Sequence, residues 1–114
     1  MDIHVITDTI SQADLKTIAE GQFIDLVKAV VDIERRIMAI GGELHADEEA
    51  VLLEQGSIQK DLWGINLYPG REGEEFVEFD SMINLRPSQG NRSRGVDDPG
   101  IRENIVAVVR DLVR

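Results

Sequence analysis

The chain has no cysteine, which excludes disulfides, a thiolate nucleophile and any cysteine-ligated metal centre. Aromatic residues are also scarce, at 4% of the composition. The single Trp63 and Tyr68 are therefore expected to pack within the fold, not to stack on the bases of a single-stranded nucleic acid. Basic residues fall short: 12 Lys and Arg stand against 22 Asp and Glu, a formal charge of −10. General nucleic-acid affinity depends on cations that neutralise phosphates, so that class is excluded, while a basic partner is favoured. No apolar run approaches the ~18 residues of a membrane span. The opening Met-Asp-Ile-His has neither the basic start nor the apolar stretch of a signal peptide, so a cytoplasmic protein without a membrane partner is expected. Phosphate-binding G-x-x-x-x-G-K-[ST] and G-x-G-x-x-G patterns are missing, as is H-E-x-x-H, and no cofactor is implied. Ser88 and Ser93 belong to no nucleophile motif, which removes a serine hydrolase from consideration.

What remains is 114 residues of ordinary hydrophobic and charged content, enough for one α+β domain over 1–114. Ile-His-Val-Ile-Thr at 3–7 is short and β-branched, a strand. Ser11 with Asp14 three residues on opens a helix carrying Leu15, Ile18 and Ala19, which Gly21 stops. Val27, Ala29, Val31 and Ile33 alternate with Lys28, Asp32 and Glu34, the period of a half-buried strand. Glu34-Arg35-Arg36 makes the turn to a return strand at 37–40, although no Asn-Gly marks it. Asp47 is placed to cap a second helix that ends at Gly56. A strand over 62–68 stops at Pro69-Gly70, an acidic tip follows at 71–75, and a long strand runs from Phe76 to Arg86. Asp97 or Asp98, then Pro99, begin a last helix with Ile101, Ile105, Val108, Val109 and Leu112 on one stripe. The order βα-ββ-α-ββ-α predicts a largely antiparallel sheet of about five strands with about three helices.

Three clusters are candidates for function. In an acidic chain, the stretch from Asp80 to Pro99 carries Arg86, Arg92 and Arg94 with no acid between Asp80 and Asp97. Guanidinium groups present a rigid fork of donors suited to phosphate or carboxylate, so Arg86, Asn91, Arg92 and Arg94 are the candidate ligand-binding residues. Pairing of those arginines with nearby acids, to fix the loop, is the structural alternative. The second cluster is Glu43, His45 and Asp47. If 43–47 is extended, the three lie on one side as a metal set of imidazole and carboxylates; if the helix begins near Leu44, they do not converge. The third is the polar sheet face, where Asn66 and Tyr68 would meet Glu78, Asp80 and Asn84, with Asp32 from a neighbouring strand. Val30, Phe76 and Met82 fall on the same face and suggest a helix or a twofold homodimer covering it.

The segment A-V-V-D-I-E-R-R-I-M-A-I-G-G-E-L-H-A-D-E-E-A-V-L-L-E-Q-G-S, the strand L-W-G-I-N-L-Y-P and the string I-N-L-R-P-S-Q-G-N-R-S together resemble a family of small bacterial proteins of unknown function. The resemblance covers nearly the whole chain and implies a small single-domain protein. It brings no established activity, cofactor or catalytic residue. The residues themselves support a small binding protein for an anionic ligand or partner. The alternative is a metal-assisted hydrolase of a phosphorylated substrate using Glu43, His45 and Asp47.

Overall fold

Five strands form one antiparallel sheet in the order β1-β3-β2-β4-β5, as seen in a computed structural model that describes residues 2–114. They are β1 (His4–Ile6), β2 (Val27–Asp32), β3 (Ile37–Ile40), β4 (Leu62–Leu67) and β5 (Val77–Glu78). Three helices accompany them: α1 (Gln12–Glu20), α2 (His45–Glu54) and α3 (Pro99–Leu112). The α+β class and the element order match the sequence pattern. Ser11 caps α1 by accepting from the Asp14 amide, and Asp98 caps α3 by accepting from Gly100 and Ile101, with Pro99 following.

Both faces of the sheet are covered, so β2 is buried on both sides and not on alternate residues. On one face Val27, Ala29, Val31, Met38, Ile40, Ile65 and Leu67 pack against Leu15 of α1 and Ile105, Val108 and Val109 of α3. On the other, Val30, Ala39 and Leu62 lie under Leu52 of α2, with Ile83 at the margin. Val30 is therefore closed off by α2, and Phe76 packs on the opposite face; of the apolar dimer patch read from sequence, Met82 alone is widely exposed.

The β2–β3 hairpin lacks Asn-Gly because Asp32 does its work. The buried carboxylate accepts from the amides of Glu34 (3.0 Å) and Arg35 (2.9 Å) and from the Ser57 hydroxyl (2.7 Å). Asx turns of this kind fold a chain back without a glycine pair. Asp32 is thus absorbed by the turn and does not join the polar face.

The predicted long strand over 76–86 is the main difference from the sequence reading. Only Val77 and Glu78 pair, with Leu67 and Asn66 of β4. The chain then bends across the sheet: a short 3₁₀ turn at Met82–Asn84 begins at Ser81, and Ile83 joins the face opposite Phe79. Gly64 of β4 makes this crossing fit. A Cβ there would lie 2.5 Å from the Ser81 side chain, inside any tolerable contact. Asn84 then bonds to both backbone groups of Gly64, its Oδ1 accepting from the amide (2.8 Å) and its Nδ2 donating to the carbonyl (2.9 Å). A side-chain carboxamide takes the place of the next strand residue.

Candidate functional site

The arginine loop divides into scaffold and surface. Arg86 donates to the carbonyls of Ile83 (3.0 Å), Gln59 (2.9 Å) and Leu62, and its guanidinium stacks 4.3 Å from the Trp63 ring. Its donors are spent on backbone, so it ties the start of β4 to the loop and is not free for a ligand. Asn91 is buried and donates to the carbonyls of Asn84, Ser93 and Gly95 while accepting from the Asp97 amide. It holds the loop closed. Asp97 adds to this by accepting from the Arg92 amide and the Ser93 hydroxyl, bonds that hold its pKa below the usual carboxylate range. Arg92 is exposed, with no carboxylate partner among the described residues. Arg94 instead pairs with an acid, its Nε 2.8 Å from Asp80 Oδ1.

That ion pair borders a cleft of about 490 Å³. Its floor follows from strand register. Lys28 of β2 lies opposite Asn66 of β4, which lies opposite Glu78 of β5, so the three side chains form a row across the sheet on one face. His45, the first residue of α2, lines it with Asp80 and Arg94, and Phe23, Leu26, Leu44, Met82 and Ile83 supply apolar walls. Glu78 Oε1 accepts from Asn66 Nδ2 (2.8 Å) and from the Tyr68 hydroxyl (3.0 Å). The sequence-based meeting of Asn66, Tyr68, Glu78 and Asp80 is therefore found, whereas Asn84 is drawn off to Gly64. Lys28 has no carboxylate within ion-pair distance among the described residues and lies 5.2 Å from the Phe23 ring. Next to Phe23, Ile24, a residue 77% exposed, sits in the left-handed region at φ 75°, a conformation that costs a β-branched residue ~1–3 kcal/mol.

The metal set is not assembled. The second helix begins at His45 with Leu44 as its N-cap, so Asp47 lies inside the first turn instead of capping it. On a helix, residues two apart point away from each other. His45 is buried and its Nε2 donates to the Ile65 carbonyl at 2.8 Å, while Glu43 and Asp47 face solvent. No group of three or more His, Asp or Glu side chains is gathered for a metal ion among the described residues. Burial lowers the His45 pKa, so the imidazole is neutral at pH 7 with its proton committed to Nε2.

One turn further along, Glu48 is fully buried, and Gly42 must be glycine because a Cβ there would meet the Glu48 side chain at 2.8 Å. Glu48 Oε2 accepts from the Gly42 amide (3.0 Å), and Oε1 has no partner among the described residues. Burial pushes its pKa up to about 9, against the Gly42 bond and the nearby Lys28 charge. A second cleft, about 710 Å³, lies between 73–79 and α3, with Phe76, Val77, Phe79, Val106 and Ala107 among its lining. Its Arg102 is already committed to the Val96 carbonyl.

The charged residue that sequence reading passed over is Lys28, counted only as the polar beat of an alternating strand. Glu48, an acid in the first turn of α2, is buried as well. Its spacing from His45 and Leu52, three and four residues, was the signal that it shares their buried face.

A small α+β domain with a mixed-charge cleft on one sheet face is the class that these features define. Residues 4–112 match the family described as protein of unknown function DUF5674, and the chain belongs to that family. Neither the curated proteins nor the solved structures contain a match. No helix among the described residues is long and apolar enough to cross a membrane.

Proposed function

We propose that this is a binding protein for a small ligand whose anionic group is held between Lys28 and Arg94 in the cleft over Lys28, Asn66 and Glu78. The observation that carries the reading is Lys28: a half-buried cation with no ion-pair partner among the described residues, in a concave site with Arg94 at its border. With no counter-ion of its own, that ammonium is available to an anion delivered to the cleft. Arg94 is the one member of the arginine loop in position to contribute, because its pairing with Asp80 is half exposed and exchangeable. The competing reading of metal-assisted hydrolysis has less behind it, since Glu43 and Asp47 would both have to turn toward a buried His45.

Ligand-detected NMR with acetate, succinate, 4-methylpentanoate and inorganic phosphate tests the proposal. At least one should bind the parent protein, lose at least tenfold in affinity in Lys28→Met and Arg94→Ala, and bind Arg92→Ala unchanged. Weakening with added salt is also expected, because the site is open to solvent. Binding lost in Arg92→Ala but kept in Arg94→Ala would move the site to the outer loop, and no binding in the panel would refute the reading.

A further inference from the structure

We infer that the ligand of this cleft is a zwitterion, namely a short apolar peptide with free amino and carboxyl termini; this rests on the anion-binding reading of Lys28 and Arg94. A purely anionic ligand would leave half of the site unexplained. Glu78 and Asp80 give the cleft two carboxylates beside its two cations. Glu78 Oε1 is used by Asn66 and Tyr68, but no donor among the described residues reaches Oε2. Asp80 Oδ1 faces Arg94, and no donor among the described residues reaches Oδ2. Asn66, only 7% exposed, has no hydrogen-bond partner for its Oδ1 among the described residues. Glu78 and Asp80 are solvent-facing carboxylates, and beside them the buried Asn66 Oδ1 is left unpaired, a setting that a group rich in N–H donors complements. An ammonium supplies three.

The spacing sets the size. Lys28 and Glu78 stand on β2 and β5 with β4 between them, so their backbones are two strand spacings, roughly 10 Å, apart. An extended chain advances about 3.3–3.6 Å per residue, so two or three residues place a carboxylate near Lys28 and an ammonium near Glu78. The walls formed by Phe23, Leu26, Leu44 and Met82 are apolar and receive hydrocarbon side chains. A cleft of about 490 Å³ lies within the range of pockets that enclose ligands of this size. The chain's formal charge of −10 disfavours a ligand with net negative charge and tolerates a neutral zwitterion.

Calorimetric titration with Leu-Leu, N-acetyl-Leu-Leu and Leu-Leu-amide at neutral pH and low salt is the test. The free dipeptide should bind at least tenfold more tightly than either blocked form. Glu78→Gln should erase the advantage over the acetylated peptide, and Lys28→Met should erase the advantage over the amide. Both residues lie outside the apolar core, and unchanged melting of the free variants separates a binding defect from unfolding. If N-acetyl-Leu-Leu binds as tightly as Leu-Leu, the zwitterion inference is overturned while the anion-binding reading stands. If Leu-Leu-amide binds as tightly as Leu-Leu, both are overturned. Absence of binding by all three peptides overturns the inference.

Discussion

Replacing Glu48 by glutamine should make the protein more stable at neutral pH and remove much of its pH dependence there. Glu48 is fully buried, and its carboxyl is pushed from an ordinary 4.5 up to about 9. Because the folded pKa is the higher one, the folded state holds this proton more tightly than the unfolded chain does. The contribution is complete below pH 4.5 and is lost steadily as pH rises toward 9. Each pH unit in that window removes about 1.4 kcal/mol, so at pH 7 the folded state has lost ~3 kcal/mol through this one group. Glutamine keeps the shape and can still accept from the Gly42 amide, but it has no proton to lose. Urea denaturation of both proteins at pH 5, 6, 7 and 8 gives the difference directly, and other titrating groups cancel in it. The stability difference should shift in favour of the variant by ~4 kcal/mol between pH 5 and pH 8. A difference that stays constant across that range would show that Glu48 is ionised in the fold, compensated by Lys28, and the reasoning would fail.

Other outcomes follow from the packing. Ile105 is fully buried between α3 and the sheet, so Ile105→Ala should cost ~2–5 kcal/mol in denaturant unfolding, and a change under about half a kilocalorie would mean the helix is not docked as described. Gly64→Ala should be destabilising by ~1–3 kcal/mol because the added methyl meets Ser81, and Ser81→Gly in the same chain should restore part of it. No rescue would mean that the strain lies elsewhere. Ile24→Gly should raise stability by about 1 kcal/mol by relieving the left-handed backbone at an exposed position; a loss would reveal packing by that side chain.

Much of the fold was legible because local rules and tertiary packing agree. Ser11, Asp98 and Pro99 mark their helix ends, and the stripe through Ile105 faces the sheet as its period requires. The failure after Val77 has a physical origin. Val77 and Phe79 alternate like a strand, and nothing local to them announces that Gly64, far back in the chain, leaves room for the segment to cross over it. The arginine loop was visible as an anomaly of composition, but composition cannot distinguish a guanidinium spent on the Leu62 and Gln59 carbonyls from one facing a cleft. Asn66, Tyr68, Glu78 and Asp80 were found together because strand alternation carries that far. Lys28 was missed as a site residue, since its isolation from acids is a three-dimensional fact.

The pairing of Asn84 with Gly64 gives the segment after β5 an unusual kind of attachment. A backbone ladder frays one rung at a time, whereas here one carboxamide holds the Gly64 amide, the Gly64 carbonyl and the Arg94 carbonyl together. Docking of the segment is therefore close to all-or-none. Arg94 belongs to that segment, and the Ser81 amide next to Asp80 donates to the Arg94 carbonyl, so one wall of the cleft rides on the same clamp. Occupancy of the cleft and closure of the clamp are then linked equilibria: whatever fills the cleft must slow hydrogen exchange at the Gly64 amide, deep in the sheet and outside the cleft lining.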